Sequence, residues 1–476
     1  MTTPMLHNRP FGELHLGDSA SLSRTLTRND IKTFAALSGD LNPSHVDEDY
    51  ARAHADGRLS AHSMWAAALI SSILGNELPG PGTVLLSQQL RFMRPIAVED
   101  TLTARVSVRE KRAESRTVVL DCECINQRGE TVAAGVVEVI APAQRLSVPK
   151  FEAVGTAVQT HDKFEQLIRY VRTLVPVSAA VAHPCSDAAM QAVISAAENQ
   201  LLVPTLVGPA EKIRMYAQRA GADISAFRLI DVPHSHAAAA KAVEIVRAGE
   251  AEILVKGSLH TDELLAEVVK RDTGLRTERR LSHAFVMDVP SYHKPLMVTD
   301  AAINIYPTLE EKRDICQNAI DLAHALRIMH PKVAILSAVE TINPKIPSTT
   351  DAASLCKMAE RGQITGGLLD GPLAMDNAIS REAAAMKEIR SQVAGDADIL
   401  LVPDLEAGNI LAKQLTFMAQ ADAAGIVLGA RVPIVLTSRA DSVRARLASA
   451  AVALILAHAR RAGGRERGRR GDVDLI

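Results

Sequence analysis

The chain has 476 residues, which at roughly 150 residues per domain asks for more than one hydrophobic core. Its 53 basic and 55 acidic side chains leave a formal charge of −2, so no global positive field holds nucleic acid or an anionic membrane, and small molecules are the expected partners. At 47% hydrophobic and 23% charged, the composition excludes long disorder, collagen-like repeats and disulfide-stapled miniproteins.

No secretory apolar segment follows Met1, and no run of ~18–20 apolar residues could span a bilayer. Cys122, Cys124, Cys185, Cys316 and Cys356 are odd in number and form no CxxC pair. Reduced thiols and a cytoplasmic location are therefore expected.

Along the chain, Thr27 and Asp30 form a capping-box-like pair that starts a short helix carrying Ile31, Phe34, Ala35 and Leu37, and Ser38-Gly39 stops it. A second helix, over about 62–75, is apolar around most of its circumference, as expected for a helix surrounded by protein. Strand-like runs follow at about 83–92, 101–111, 116–126 and 131–140, with period-2 alternation in Leu102, Ala104, Val106 and Val108. The pattern predicts an α+β domain over residues 10–142, an antiparallel sheet wrapped on a central helix. Residues 143–162, with Pro149 and Gly155 and no periodicity, read as a linker. From Val177 onward short β-rich runs such as 178–182, 252–255, 333–336, 399–402 and 425–428 alternate with helical patterns at 187–200, 237–248, 309–329, 381–393 and 442–459. This rhythm predicts parallel α/β layers over residues 163–460, enough chain for two lobes and a cleft. Residues 461–476, arginines among glycines, read as a solvated basic tail.

The segment Ser38-Gly39-Asp40-Leu41-Asn42-Pro43-Ser44-His45-Val46-Asp47 follows the first helix. Pro43 opposes helical continuation and Gly39 can take a left-handed turn, so Asp40 and His45 can converge across a loop. A carboxylate and an imidazole facing one point can hold a water and move its protons near neutral pH. Asx-turn and cap roles of Asp40, Asn42 and Asp47 explain the same letters. Together with Ala61-His62-x-Met64, Leu78-Pro79-Gly80-Pro81-Gly82-Thr83 and Arg91-Phe92-x-x-Pro95, the segment resembles the hot-dog (R)-specific enoyl-CoA hydratases, the MaoC-like family. The resemblance implies that Asp40 and His45 hold the water added to a 2-enoyl thioester, giving a 3-hydroxyacyl-CoA, with Asn42 and Ser63 at the substrate. Backbone N–H groups at the start of the buried helix would serve the thioester oxygen. Ser63 stands where the family usually carries glycine, and its loss there would narrow the approach to the thioester or remove a φ > 0 conformation. His62 is expected to be structural.

In the second half, Leu401-Val402-Pro403-Asp404-Leu405-Glu406-Ala407-Gly408-Asn409 runs from a strand through a turn into a helix, and Leu436-Thr437-Ser438-Arg439-Ala440-Asp441-Ser442 leads from a strand to a helix start. A serine and an arginine beside helix amides suit a phosphate or acyl phosphate, although Ser438 and Asp441 also fit cap roles. With Val255-Lys256-Gly257-Ser258-Leu259-His260-Thr261, Asp370-Gly371-Pro372 and Ser391-x-Val393-Ala394-Gly395, these segments resemble the phosphate acetyl/butyryltransferase family. That resemblance implies a two-lobed α/β fold and reversible acyl transfer between the CoA thiol and phosphate. Ser438 and Arg439 would hold phosphoryl or acyl oxygens, and Asn409 and Asp441 would line the site. The acetyltransferase branch carries an aspartate at the position aligned with Ala445, which cannot act as a base; Asp441 is the nearest substitute.

No P-loop, GxGxxG or metal-ligand spacing occurs. No metal and no tightly bound cofactor are expected; the resemblances imply coenzyme A thioesters with phosphate or acyl phosphate as substrates, and a homo-oligomer. The rival reading makes the second half a non-catalytic acyl-CoA-sensing or scaffolding module.

Overall fold

A computed structural model of the chain describes residues 4–54, 58–150, 162–436 and 441–471. They fall into two compact units, Met1–Gln159 and Thr160–Ile476.

The first unit begins with β1 (Met5–His7), β2 (Ser19–Thr25), α1 (Arg28–Ser38), α2 (Pro43–Val46) and α3 (Glu48–His54). It continues through β3 (Ser60–Ala61), α4 (Met64–Asn76), β4 (Val84–Phe92) and β5 (Ile96–Ala97). The long strands β6 (Thr101–Arg112), β7 (Thr117–Ile125) and β8 (Thr131–Ile140) and a short β9 (Ser147–Pro149) complete it. The sheet order is β2-β6-β7-β8-β4, with every pairing antiparallel. The alternation seen in the sequence puts Leu102, Ala104, Val106 and Val108 on the buried face, where they share a core with Leu69, Ile70, Ile73 and Leu74 of α4. Ile70 and Ile73 are wholly buried, and each such side chain contributes about 1.5–3 kcal/mol through removal from water. Sheet and helix form the hot-dog arrangement expected.

Two details differ from expectation. Pro43 does not keep its segment irregular: it occupies the first turn of α2, where its missing N–H costs nothing, and the Asn42 side chain caps that turn by accepting from Ser44 N. Within the stretch read as linker, β9 pairs antiparallel with β1, Leu6 opposite Val148.

The second unit opens with α5 (Asp162–Val171), β10 (Val177–Ala182), α6 (Asp187–Glu198), β11 (Leu202–Gly208), α7 (Ala210–Arg219) and β12 (Arg228–Asp231). Next come α8 (Ser235–Arg247), β13 (Ile253–Lys256), α9 (Thr261–Val268), β14 (Ser282–Asp288), β15 (Leu296–Thr299) and α10 (Leu309–Ala325). Then follow β16 (Lys332–Leu336), α11 (Pro347–Glu360), β17 (Leu368–Leu373), α12 (Met375–Ile379), α13 (Arg381–Met386) and β18 (Ile399–Leu401). The last elements are α14 (Leu405–Phe417), β19 (Asp422–Leu428), β20 (Ile434–Val435) and α15 (Val443–Gly471). All these strands join one 11-stranded sheet, β12-β11-β10-β13-β20-β19-β14-β15-β18-β16-β17. The two ends of the sheet are parallel blocks, β12 to β20 and β15 to β17, joined through the antiparallel strands β19 and β14. Three successive antiparallel pairings reverse direction between the blocks, so their carboxyl ends lie at opposite edges of the sheet.

Helix α15 is apolar on all sides through Ala448, Ala451, Val452 and Leu454, and it shares the main core with Ala284, Val286, Ala424 and Ile426 of the central strands. Its backbone stays helical as far as Gly471, through the arginines read as a tail, because arginine is a strong helix former that extends an existing helix. The helix expected over 381–393 stops at Met386, since Glu388 adopts φ 55. The one expected over 309–329 stops at Ala325, shortly before Arg327 at φ 66.

Candidate functional site

In the first unit the site grows from the end of α1. Gly39, in the left-handed region at φ 74, donates its N–H to Ala35 O at 2.9 Å and turns the chain so that Asp40 leaves the helix at its exposed end. Asp40 Oδ1 accepts from Asn42 N at 3.3 Å, and Asn42 Oδ1 accepts from both the amide and the hydroxyl of Ser44, so Asn42 is committed to holding the loop. One turn of α2 then carries His45 inward. His45 Nδ1–H donates to the Ser60 carbonyl at 2.7 Å, which leaves the Nε2 lone pair facing Asp40 Oδ2 at 4.0 Å. That separation exceeds a direct hydrogen bond and matches a bridging water.

His62, buried at 4% exposure, donates from Nε2 to the main-chain carbonyl of Asp40 at 2.9 Å, and its ring lies 3.9 Å from that of His45. The structure thus agrees with a positional role for His62. It also gathers one donor atom each from Asp40, His45 and His62 within 4.8 Å of one another, a set of metal-ligand type that no sequence spacing announced.

Ser63 is the N-cap residue of α4, at φ −58 and ψ −29, ordinary helical values, so no left-handed conformation is demanded there. Trp65 N and Ala66 N already donate to His62 O and Ser63 O. The amides of Ser63 and Met64 precede them and have no backbone acceptor among the described residues. Both residues are exposed, and they follow directly on His62, whose Nε2 donates to the Asp40 carbonyl.

In the second unit, neighbouring carboxyl ends of β10, β13 and β20 point to one edge. Beyond β20, residues 437–440, and with them Ser438 and Arg439, lie outside the described residues. Ser442 caps α15 by accepting from Ala445 N at 3.1 Å. Asp441 contributes its main-chain carbonyl to Arg446 Nε at 3.1 Å, and Ala445 is buried against the helix start. Asn409 is in the second turn of α14, which follows the carboxyl end of β18, and its Nδ2 donates to Ala301 O at 3.1 Å.

A phosphate acetyl/butaryl transferase family model matches residues 234–454, and a MaoC like domain model matches residues 17–125. The phosphate acetyltransferase of Rhizobium meliloti is 63% identical over 300 residues, covering 63% of this chain and 95% of that relative. The chain belongs to the phosphate acetyl/butyryltransferase family. A branched-chain phosphotransacylase from Enterococcus faecalis V583 aligns at TM-score 0.53 and 32% identity, over 59% of this chain and 99% of its own. R-Hydratase PhaJ1 from Pseudomonas aeruginosa aligns at 37% identity and TM-score 0.32, over 33% of this chain and 99% of its own. The chain is thus a two-domain enzyme that fuses a MaoC-like hydratase domain to a phosphate acyltransferase domain.

The transferase domain also holds residues that the sequence did not single out as a group. At the end of β10, His183 adopts φ 53, and its carbonyl accepts from Cys185 N, Ser258 N and Ser258 Oγ, each at 2.8 Å. Gly257 is required there, because a methyl group would come within 2.3 Å of His183 O. Burial and the nearby Lys212 ammonium hold the His183 imidazole below its ordinary value, so it is neutral at pH 7. Burial pushes the Cys185 thiol up to about 11, which removes it as a nucleophile. Near the opposite edge His283 is buried and pushed down to about 4 by desolvation, against the opposing pull of Asp300. The carboxylate of Asp300 is itself saturated by the amides of Ala302, Ile303 and Asn304 and by the Asn304 side chain. Gly257 and Ser258 fall in the 255–261 segment, whereas His183 and His283 stand apart from any motif, one just past the carboxyl end of β10 and the other near the start of β14.

Proposed function

We propose that the first domain hydrates 2-enoyl-CoA to (R)-3-hydroxyacyl-CoA and that the second exchanges an acyl group between CoA and phosphate. The observation that carries the first half is the 4.0 Å approach of Asp40 Oδ2 to His45 Nε2, close enough for one water beside the pair to bond both atoms. A water held there loses a proton to the Asp40–His45 pair as its oxygen bonds to the β-carbon of the enoyl thioester, and that same proton is delivered from the pair to the α-carbon. Charge builds on the thioester oxygen as this happens, and the open amides of Ser63 and Met64 are suited to stabilise it. Asn42 acts by holding the Asp40 loop, and Ser63 offers a hydroxyl at the edge of the substrate.

For the second half the reading rests on family membership and on the likeness to phosphate acetyl- and butyryltransferases. Ser438 and Arg439 hold the phosphate, Asp441 stays near them at the head of α15, and Asn409 lines the same cleft. CoA thioesters, inorganic phosphate and acyl phosphate are the substrates, and the enzyme works in the cytoplasm. Among the described residues no helix is long and apolar enough to cross a membrane. The edge strand β4 leaves Val84, Leu85, Leu86 and Phe92 exposed, which supports a homo-oligomer formed through that edge.

The test is stereochemical. Crotonyl-CoA incubated with the protein should give a product that an (R)-specific 3-hydroxyacyl-CoA dehydrogenase oxidises and an (S)-specific one does not. An (S) product would refute the assignment of the first site.

A further inference from the structure

A feature of the transferase domain that the acyl transfer does not explain is a cavity of about 770 Å³ at the edge where β19 ends. Its size is that of a site for a nucleotide-sized ligand. The wall is built and pinned. Thr277 Oγ1 donates to Gly429 O at 2.6 Å, Arg431 N to Leu275 O at 2.9 Å, and Arg276 and Ala430 form an isolated antiparallel bridge. Buried Leu322, Leu428 and Leu456 form an apolar floor.

The rim is cationic. Arg276, Arg279, Arg431 and Arg460 line the cavity against Glu278 and Asp321, a local balance of 4 − 2 = +2. Asp321 is already engaged by Arg279. Arg276 and Arg431 are exposed and carry no carboxylate partner among the described residues. Arg460 Nη1 is anchored on the carbonyls of Ala430 at 3.1 Å and Arg431 at 2.7 Å. Its guanidinium has no ion-pair partner among the described residues. Desolvation weakens its hold on a proton, against the opposing pull of the Asp321 carboxylate and with a smaller push from the like charge of Arg279. Guanidinium groups gathered at the mouth of an apolar cavity are the arrangement that recognises phosphate oxygens on a ligand with a flat apolar body.

We propose that this cavity is an effector site for a nucleoside polyphosphate, separate from the site that carries the acyl transfer. The phosphates lie between Arg276, Arg431 and Arg460, and the base rests on the leucine floor. Glu278, facing the same space, opposes the anion and limits affinity.

The experiment is calorimetric titration of the full-length protein with ATP, free of added divalent cation, and with adenosine. ATP should bind with an affinity that falls as salt rises, and adenosine should not bind at the same concentrations. In the Arg276→Gln, Arg431→Gln double variant, whose exposed side chains hold no part of the fold, ATP affinity should drop at least about tenfold. Glu278→Gln should raise it several-fold. Saturating CoA should leave ATP binding intact. Absence of ATP binding at millimolar concentration, unchanged affinity in the double variant, or complete displacement of ATP by CoA would each overturn the proposal.

Discussion

Replacing Asp40 with asparagine tests the hydratase chemistry with little disturbance of the fold. The Asp40 side chain is 54% exposed, so its charge contributes little to stability. The structural bonds at this position survive the substitution: the Asn42 amide needs only a side-chain oxygen, and His62 donates to the main-chain carbonyl. The stability change should therefore stay within about 0.5 kcal/mol. The change removes the carboxylate that faces His45 Nε2 across 4.0 Å, and with it the ability to take or return the proton of the intervening water. General acid–base catalysis contributes about 10²–10⁴-fold, equivalent to about 2.7–5.4 kcal/mol of barrier. Asp40→Asn should therefore lower kcat for crotonyl-CoA hydration by that factor, read from the decay of the enoyl-thioester absorbance. Phosphate-dependent release of CoA thiol from acetyl-CoA, followed in the same preparation, should be unchanged, because the second domain is untouched. A kcat within threefold of wild type would refute the role of Asp40; parallel loss of both activities would show instead that the substitution damages folding.

Ser63→Gly should leave hydration within about threefold of wild type and cost about 0.5–1 kcal/mol, because φ −58 gives glycine no advantage at the head of α4; a tenfold gain in rate would contradict this. Gly257→Ala drives a methyl group to within 2.3 Å of His183 O and 2.5 Å of Ala182 O, and should lower the melting temperature of the transferase domain by a cost of about 1–3 kcal/mol or more while hydration persists. Arg439→Ala should abolish saturation by phosphate in the transferase assay, and an unaltered phosphate KM would move the anion elsewhere. His283 yields a pH signature. Its folded value lies near 4 against an ordinary 6.5, so below pH 6.5 the unfolded chain takes up the proton first. Stability fully present above pH 6.5 is lost as pH falls toward 4, by about 2 kcal/mol at pH 5. His283→Leu should therefore lose less melting temperature than wild type between pH 7 and pH 5, and equal slopes would refute the assignment.

The fold was legible where one period dominates. Alternating Leu102, Ala104, Val106 and Val108 announced a sheet with one buried face, and the Thr27–Asp30 box fixed the start of α1 to the residue. Asp40 and His45 could be read because only four residues separate them and the glycine turn at Gly39 stands just before the pair. Their supports could not: Ser60 and His62 arrive from a short strand and a helix start 15 and 22 residues away from the atoms they bond. Pro43 was misleading for a physical reason, since the same ring that breaks a helix interior is well suited to its first turn. In the second domain, strand and helix alternation gave the layers but not the order of the sheet. β20 spans only Ile434–Val435 yet joins β13 to β19, and so links one parallel block to the reversed strands that lead into the other. No periodicity can show itself over two residues. For the same reason Asn409 and the segment after β20 look alike in sequence, each a strand end running into a helix, although β18 and β20 run in opposite directions.

The most direct test of the two-domain account is a pair of assays on one preparation of the wild-type protein: hydration of crotonyl-CoA, and phosphate-dependent release of CoA thiol from acetyl- and butyryl-CoA. The account predicts both activities, with Asp40→Asn removing only the first and Arg439→Ala only the second. Hydration without any phosphate-dependent thiol release would contradict it, and would make Ala445, a buried side chain that cannot act as a base, the place to explain a second domain that binds acyl-CoA without reacting.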